Sequence, residues 1–385
     1  VSNEFIRERL FRIFFPEART VKLAIKSSGC FLFFLLALAT RPATSVAADW
    51  WSLSDSDFIT QYGNLATGTQ KEQSQFAWMT FARVNQRVMS GTNQFSQWEL
   101  WSSDHDTFTP DTPRFDAAKK IRTRPHLEPI QQLRMFSPHM RLAHVRPFPQ
   151  AGQEVTRNST SYNYIMNTKL NTQQGIATYL GNPGNRIEFP IGAIETKALW
   201  VSGAQAGAYQ EGGFSLTGLH LMVKVKPTPS NPFTDNSPSW FWTTFEVNSN
   251  QDLAAAQKFI TYGDALTPGE SQTLMNQAGF GGTPFMNYVS NGTQIQYSDA
   301  NHATIILGNT QIEGFLGTPP NLDPAKWTKW PTSCHSCHGQ ASGVISGTGM
   351  NVFNAPAPVG PLMGNELPPA GYRPYDFVWA LSLAQ

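Results

Sequence analysis

The sequence predicts an α+β fold, and three observations carry that reading. Three stretches between Ile187 and Val247 have the alternation and composition of strands and are separated by turn signals. An earlier segment, "FAWMTFARVN" from Phe76 to Asn85, repeats its apolar residues at helical spacing. Late in the chain, Cys334, Cys337 and His338 stand together in "SCHSCHG". The expected architecture is an antiparallel sheet over residues 187–247 with flanking helices, over which the C-terminal Cys/His segment closes. Residues 49–385 should form one compact unit, with 49–156 a mixed N-terminal region and 157–385 holding the sheet and the Cys/His motif.

Taken in order, Asp49 to about Thr112 is aromatic and mixed. Phe76–Asn85 reads as helix, "FSQWELW" (Phe95 to Trp101) alternates like a strand, and "TPDTP" marks a break. Arg114 to Thr156 is a weakly patterned, proline-punctuated connector with basic residues. "NYIMNTKLNTQQGIATYL" (Asn163 to Leu180) reads as helix or helix-turn, stopped by "GNPGN". The first strand stretch, "IEFPIGAIETKALWV", alternates past Gly192, so Ala193, Glu195 and Lys197 share a face. In the second, "FSLTGLHLMVKVK", Leu219, Leu221, Val223 and Val225 share one face, while Leu216, Gly218, His220, Met222 and Lys224 share the other. The third, "SWFWTTFEV", is rich in aromatic and β-branched residues, and "PTPSNPFTDNSP" joins it to the second. These three are expected to be antiparallel neighbours. "DLAAAQKFI" then reads as helix, followed by a Gly/Asn/Gln-rich region to about His302 and by "ATIILGNTQIEGF".

With 385 residues, 40% hydrophobic and 12% aromatic, the chain is long and apolar enough for a large packed core. At the N-terminus Lys22 and Lys26 precede the apolar run "CFLFFLLALA", followed by "TSVAA". That order is a signal peptide over residues 1–48 with cleavage after Ala48. The alternative is a membrane anchor, but the run is shorter than the roughly 20 residues a spanning helix needs. Export to the periplasm is therefore expected, with no membrane span in the mature chain. Removal of residues 1–48 leaves a slightly acidic protein without basic stretches, which argues against a nucleic-acid partner. It also removes Cys30, so Cys334 and Cys337 remain. An exported protein with two closely spaced cysteines has no disulfide framework, so they are there for chemistry.

C-x-x-C-H is the attachment pattern of c-type haem. On a helix, positions i, i+3 and i+4 share a face. Both thiols can then add to the haem vinyl groups while His338 coordinates iron, with His335 pointing away; His335→Ala should disturb neither attachment nor ligation. Zinc is a rival, but structural zinc wants four ligands and no second Cys/His pair lies nearby. A redox disulfide is another, but it belongs at a strand-to-helix start, and "KWTKWPTS" precedes this motif. The residues after the motif are rich in Gly, Pro and Ala, with Met350 and Met363 the methionines there. Such a tail cannot wrap a haem, so the pocket should be built earlier in the sequence.

"FPIGAIETKALW", "GLHLMVKVKP", "SWFWTTFE", the C-x-x-C-H and "DFVWAL" (Asp376 to Leu381) resemble, in order and spacing, a family of uncharacterised exported monohaem cytochromes c; "FAWMTFARVN" with "WELW" is similar to its N-terminal signature. More distantly, the C-terminal half is similar to the "four-sixty" cytochromes, which oxidise hydroxylamine, and to cytochrome c-prime-beta. The resemblance implies an antiparallel haem-binding core. It implies that Gly192 and Lys197 match a Gly-x-x-x-x-Lys whose lysine is cross-linked to the haem edge. It also implies that Gly218-Leu219-His220 stands where those proteins carry Gly-Leu-Glu over the distal face. Side chains alternate along a strand, so Gly218 and Met222 share the His220 face, and Gly218 is expected to leave room beside His220 for a flat haem. A histidine there can ligate iron or serve as a base, which puts hydroxylamine oxidation in doubt. The plainer alternatives are a hydrogen-bonded structural His220 and a solvated Lys197. His105, His126, His139, His144 and His302 read as surface or capping residues, and Trp240 and Trp242 as packing. Three functions stay open: a redox protein acting on a small nitrogen or oxygen species, with His220 and Lys197 distal; a bis-His electron carrier; and a gas-binding module. Each implies one covalent haem c, and the redox readings imply a partner protein.

Overall fold

Local sequence starts each of the N-terminal helices. Ser54 accepts from the Asp57 amide to open α1, Asp55–Tyr62, and Thr69 with Glu72 makes a reciprocal capping box for α2, Gln70–Val84. The predicted helix over Phe76–Asn85 is the C-terminal part of α2, and its residues from Phe76 to Val84 are all buried. β1 (Arg87–Ser90) and β2 (Asn93–Ser96) form a hairpin, after which "FSQWELW" departs from the strand its alternation suggested. Gln97–Leu100 is a 3₁₀ turn, because the Glu99 carboxylate accepts from the Ser96 amide at 2.8 Å and bends the chain there. β3 (Ser102–Ser103) and α3 (Asp104–Phe108) follow.

The computed structural model describes residues 50–109, 113–115, 151–250, 253–258, 260–303, 305–312, 333–339, 341–344 and 371–384. These residues fall in one compact unit, Ala47–Gln385. The expected signal segment, most of the 114–156 connector, His126, His139, His144, Met350 and Met363 lie outside them. The end of that connector is a strand rather than irregular chain: β4 is Ala151–Arg157.

"NYIMNTKLNTQQGIATYL" resolves into α4 (Ser159–Asn167) and α5 (Gln173–Gly181), with Lys169 at φ 58° between them. The three expected strands are β5 (Ile194–Ser202), β7 (Phe214–Lys224) and β8 (Trp240–Val247), with a short β6 (Tyr209–Glu211) beside β7. They pair antiparallel in the order β5-β7-β8. α6 (Leu253–Gln257) and α7 (Pro268–Gln277) lead to β9 (Tyr288–Gln294), a strand whose polar sequence hid it. The sheet has seven strands in the order β3-β4-β5-β7-β8-β9, with β6 added on β7. α8 (Cys334–His338), β10 (Ser342–Val344) and β11 (Tyr372–Pro374) complete the described chain. The fold is α+β with antiparallel pairing throughout this sheet.

Both faces of the central strands are covered, and all eight residues of β8 are buried. One face carries Leu219, Leu221 and Val223 beside Phe245, Thr243 and Phe241. Helix α2 packs on it, with Phe76 4.9 Å from Phe241 and Phe81 4.1 Å from Phe245 between ring centroids. The opposite face carries Glu195, Lys197, His220, Met222, Lys224, Trp240 and Trp242. There Met222, Trp240 and Trp242 join Ile165 of α4, Leu180 of α5 and Tyr375, Phe377 and Leu381 of the C-terminal segment in a second core. The alternation expected for β7 holds from Gly218 to Lys224; before Gly218 the register shifts, and Leu216 pairs with Trp200 on the face opposite Leu199 and Gly218, against the expectation that it would share the His220 face.

Candidate functional site

The Cys/His motif forms a short helix, α8, docked on the second face. Gln294, the last residue of β9, holds its start from two sides: Nε2 donates to Ser333 Oγ at 2.7 Å and Oε1 accepts from the His335 amide at 3.1 Å. Cys334 is half-buried against the second core, with Sγ 3.7 Å from the Leu307 carbonyl. Gly339 ends the helix where a Cβ would stand 2.0 Å from the Tyr297 hydroxyl oxygen, so a side chain there would collide with a buried ring. His338 is half-buried, its ring 4.4 Å from that of Trp242, and its Nδ1 lies 2.8 Å from the carbonyl oxygen of Phe377. Nδ1–H donating to that carbonyl sets the tautomer that presents Nε2 to a metal.

His335 is part of the second core. It is 0% exposed, enclosed by Tyr297 at 4.4 Å, Phe377 at 4.6 Å and Trp242 at 6.5 Å between ring centroids. About 100° separates successive residues on a helix, so His335 leaves the direction shared by Cys334 and His338, and it points into the core. Both ring nitrogens are buried without a hydrogen-bond partner among the described residues. Burial pushes its pKa down to about 3, so the ring is neutral.

The segment "DFVWAL" explains how His338 is fixed. Asp376 is 0% exposed and receives Lys224 Nζ at 2.8 Å on each carboxylate oxygen. The Phe189 amide donates to it at 2.6 Å, Trp240 Nε1 at 3.2 Å, and the Thr228 hydroxyl donates as well. Burial pushes Asp376 up and Lys224 down, and each partner's charge opposes the shift; with four donors converging on the carboxyl, we take the pair as ionised. Asp376 and Phe377 have φ of 52° and 67°, a left-handed backbone that non-glycine residues adopt at a penalty. This turn carries the Phe377 carbonyl to His338.

Lys197 and His220 are brought together, as direct cross-strand partners on β5 and β7. Along strands otherwise buried from Ile194 to Val201 and from Ser215 to Lys224, these two positions are half-exposed. On one side of them, toward Glu195, lies a buried charge cluster: Arg157 bonds Glu195 at 3.4 Å and Asp104 more closely, and donates to the Ser103 carbonyl at 3.1 Å. Burial pushes Asp104 and Glu195 up, and Arg157 pulls them back; the Lys197 charge also pulls Asp104 down. On the other side, Gly218 corrects the sequence reading. The space above it does not lie open for a flat ligand: a Cβ there would meet Asn309 Oδ1 at 2.8 Å and Ile312 Cγ1 at 3.1 Å. Gly218 is small to admit the chain around residues 309–312.

The donor set fits a c-type haem at the motif: two cysteines and a histidine at i, i+3 and i+4, with the histidine tautomer set from behind. Cys334, Cys337 and His338 would hold it, and Lys197 and His220 are the polar side chains at the half-exposed part of the same sheet face. Among the described residues no group of three or more His, Cys, Asp or Glu is arranged to hold a metal ion, and no helix is long and apolar enough to cross a membrane. His105 is exposed on α3 beside Thr109, His302 is exposed in a turn at φ 60°, and Trp240 and Trp242 are buried. Gln294, Lys224 and Asp376 were not singled out as site residues from the sequence. The visible signals were an acid beside the apolar run Phe377–Leu381 and a lysine inside a buried strand. No family model, no curated protein and no solved structure matches the chain.

Proposed function

We propose that this chain is an exported monohaem c-type cytochrome with redox function, in which His338 is the proximal ligand and Lys197 and His220 face the distal side. The observation that carries the reading is the helical C-x-x-C-H with His338 Nδ1 held by the Phe377 carbonyl, an arrangement with a clear use if Nε2 binds a metal. The resemblance to exported monohaem cytochromes supports it. When bound, the haem supplies one-electron chemistry and, with an open sixth position, a site for a small nitrogen or oxygen species.

The chain's own residues divide the remaining work. Cys334 and Cys337 anchor, and Trp242 packs against the His338 ring. Lys197 offers hydrogen-bond donors and positive charge beside His220. An imidazole can accept or return a proton, and a positioned group of that kind typically contributes on the order of 10²–10⁴-fold to rate. The deciding experiment is the absorption spectrum of the purified protein, ferric and ferrous, with and without nitric oxide. A high-spin iron that binds nitric oxide supports the small-molecule reading. A six-coordinate low-spin iron in both oxidation states, lost in His220→Ala, makes the protein a bis-His electron carrier. A protein without a haem spectrum, produced in cells competent in cytochrome maturation, sinks both.

A further inference from the structure

We infer that the buried Lys224–Asp376 pair is a positioning unit for the proximal histidine, a role that rests on the haem reading above. The geometry runs in one unbroken line. Lys224 ends β7 inside the second core at 0% exposure and meets both oxygens of Asp376, also 0% exposed. Trp240 Nε1, the Phe189 amide and Thr228 complete the shell, so the carboxylate is held from four directions. The next residue, Phe377, sits in the same left-handed turn and offers its carbonyl to His338 Nδ1 at 2.8 Å. The same residue's ring packs on His335 at 4.6 Å. One turn therefore grips both histidines of the motif, and the ion pair holds that turn on the sheet.

Stability alone is a weak reason for such a pair, since replacing a buried ion pair with apolar residues is often neutral or stabilising. A left-handed turn at two consecutive non-glycine residues also persists where surrounding contacts over-determine it. What the pair does provide is a fixed acceptor behind the coordinating ring. A hydrogen bond from Nδ1–H makes the imidazole a stronger donor to iron, which favours the ferric state and lowers the reduction potential. The pair is thus a positioning element that acts through the Phe377 carbonyl; it touches neither iron nor substrate.

Charge and position make opposite predictions for Lys224→Met. Removing the cation in Lys224→Met would by charge alone lower the potential, and removing the anion in Asp376→Asn would raise it. If the pair positions His338, both substitutions loosen the same carbonyl and both raise the potential. The double variant Lys224→Met/Asp376→Asn, which leaves no unpaired buried charge and should fold if Lys224→Met does not, should show the same upward shift as a single variant rather than the sum. The test is a redox titration of the three variants and wild type, each checked by haem stain and by circular dichroism. Shifts of opposite sign in the singles, or a folded double variant with the wild-type potential, overturn the inference. If no protein carries haem, the haem reading has failed, and nitrogen NMR of the His338 ring in the full chain still decides the positioning. A single Nδ1–H tautomer in wild type that becomes mixed in the double variant supports it, and an unchanged ring overturns it.

Discussion

The two faces of the central sheet are buried alike and built differently. On the face toward α2, Leu219, Leu221, Val223, Phe241 and Phe245 surround a single Thr243, and Phe241 and Phe245 pack on Phe76, Trp78 and Phe81. The opposite face buries Arg157, Glu195 and Lys224 at 5% exposure or less, with Lys197 and His220 half-exposed among them. The first face is what hydrophobic burial produces unaided. The second buries charges that water would hold more favourably, and it is the face on which the Cys/His helix docks. The contrast says that α2 and its strands make the scaffold, and that the composition of the other face answers to something other than stability.

The largest effects should separate the two kinds of burial. Phe245→Ala and Arg157→Met are each expected to destabilise by about 3–5 kcal/mol in urea unfolding, the first through a cavity and the second by leaving Asp104 and Glu195 unpaired. Adding Asp104→Asn and Glu195→Gln to Arg157→Met should recover most of the loss, because the charges act as a unit. A triple variant no more stable than Arg157→Met would show that the two faces do not differ in the way described.

His335 gives a smaller effect that sharpens the boundary between them. His335→Ala should destabilise by about 2–4 kcal/mol through a cavity among Tyr297, Phe377 and Trp242, whereas His335→Phe, close in shape and without orphaned nitrogens, should change stability by less than about 1.5 kcal/mol. A His335→Phe protein as damaged as His335→Ala would mean that the ring nitrogens, rather than the ring, are needed.

Glu246 tests the polar burial by pH. It accepts from Asn250 Nδ2, Asn291 Nδ2 and the Thr310 amide and hydroxyl. Burial pushes its pKa above the ordinary 4.5, with those hydrogen bonds opposing. The folded protein therefore holds this proton more tightly than the unfolded chain, so the contribution is full below about pH 4.5 and is lost as pH rises from there through the raised folded value. Glu246→Gln should remove that component, so wild type loses stability relative to the variant as pH rises from 4 to 7. An opposite or absent trend in paired urea midpoints would contradict the assignment. The smallest stability change belongs to His220→Ala, about 1 kcal/mol or less at a half-exposed position; its effect should be read in the spectrum instead.

Elements with strong local signals were legible from the sequence: α2 by its period, β7 by an alternation that assigned both faces from Gly218 to Lys224, and β5, β7 and β8 as antiparallel neighbours; the register shift that turns Leu216 to the other face has no local signal. The misses have physical causes. Gln97–Leu100 alternates like a strand, yet a backbone-to-carboxylate bond at Glu99 bends it. β9 is an edge strand made largely of small and polar residues, so alternation did not mark it. That Lys197 and His220 lie together was implied by the resemblance and not by any predicted register, and the room expected beside Gly218 is filled, because Asn309 and Ile312 arrive from about ninety residues away. A longer separation, 152 residues, hid the clamp at Asp376, whose partner Lys224 lies on another element.

The role proposed for the charged face is to serve a covalently held haem. A haem-stained denaturing gel of wild type, Cys334→Ser/Cys337→Ser and His338→Ala, all produced in cells competent in cytochrome maturation, tests it most directly. Colour should travel with the wild-type polypeptide, be absent from the double cysteine variant and be reduced or absent in His338→Ala. A colourless wild-type band of full length, from cells that mature a control cytochrome, would contradict the claim.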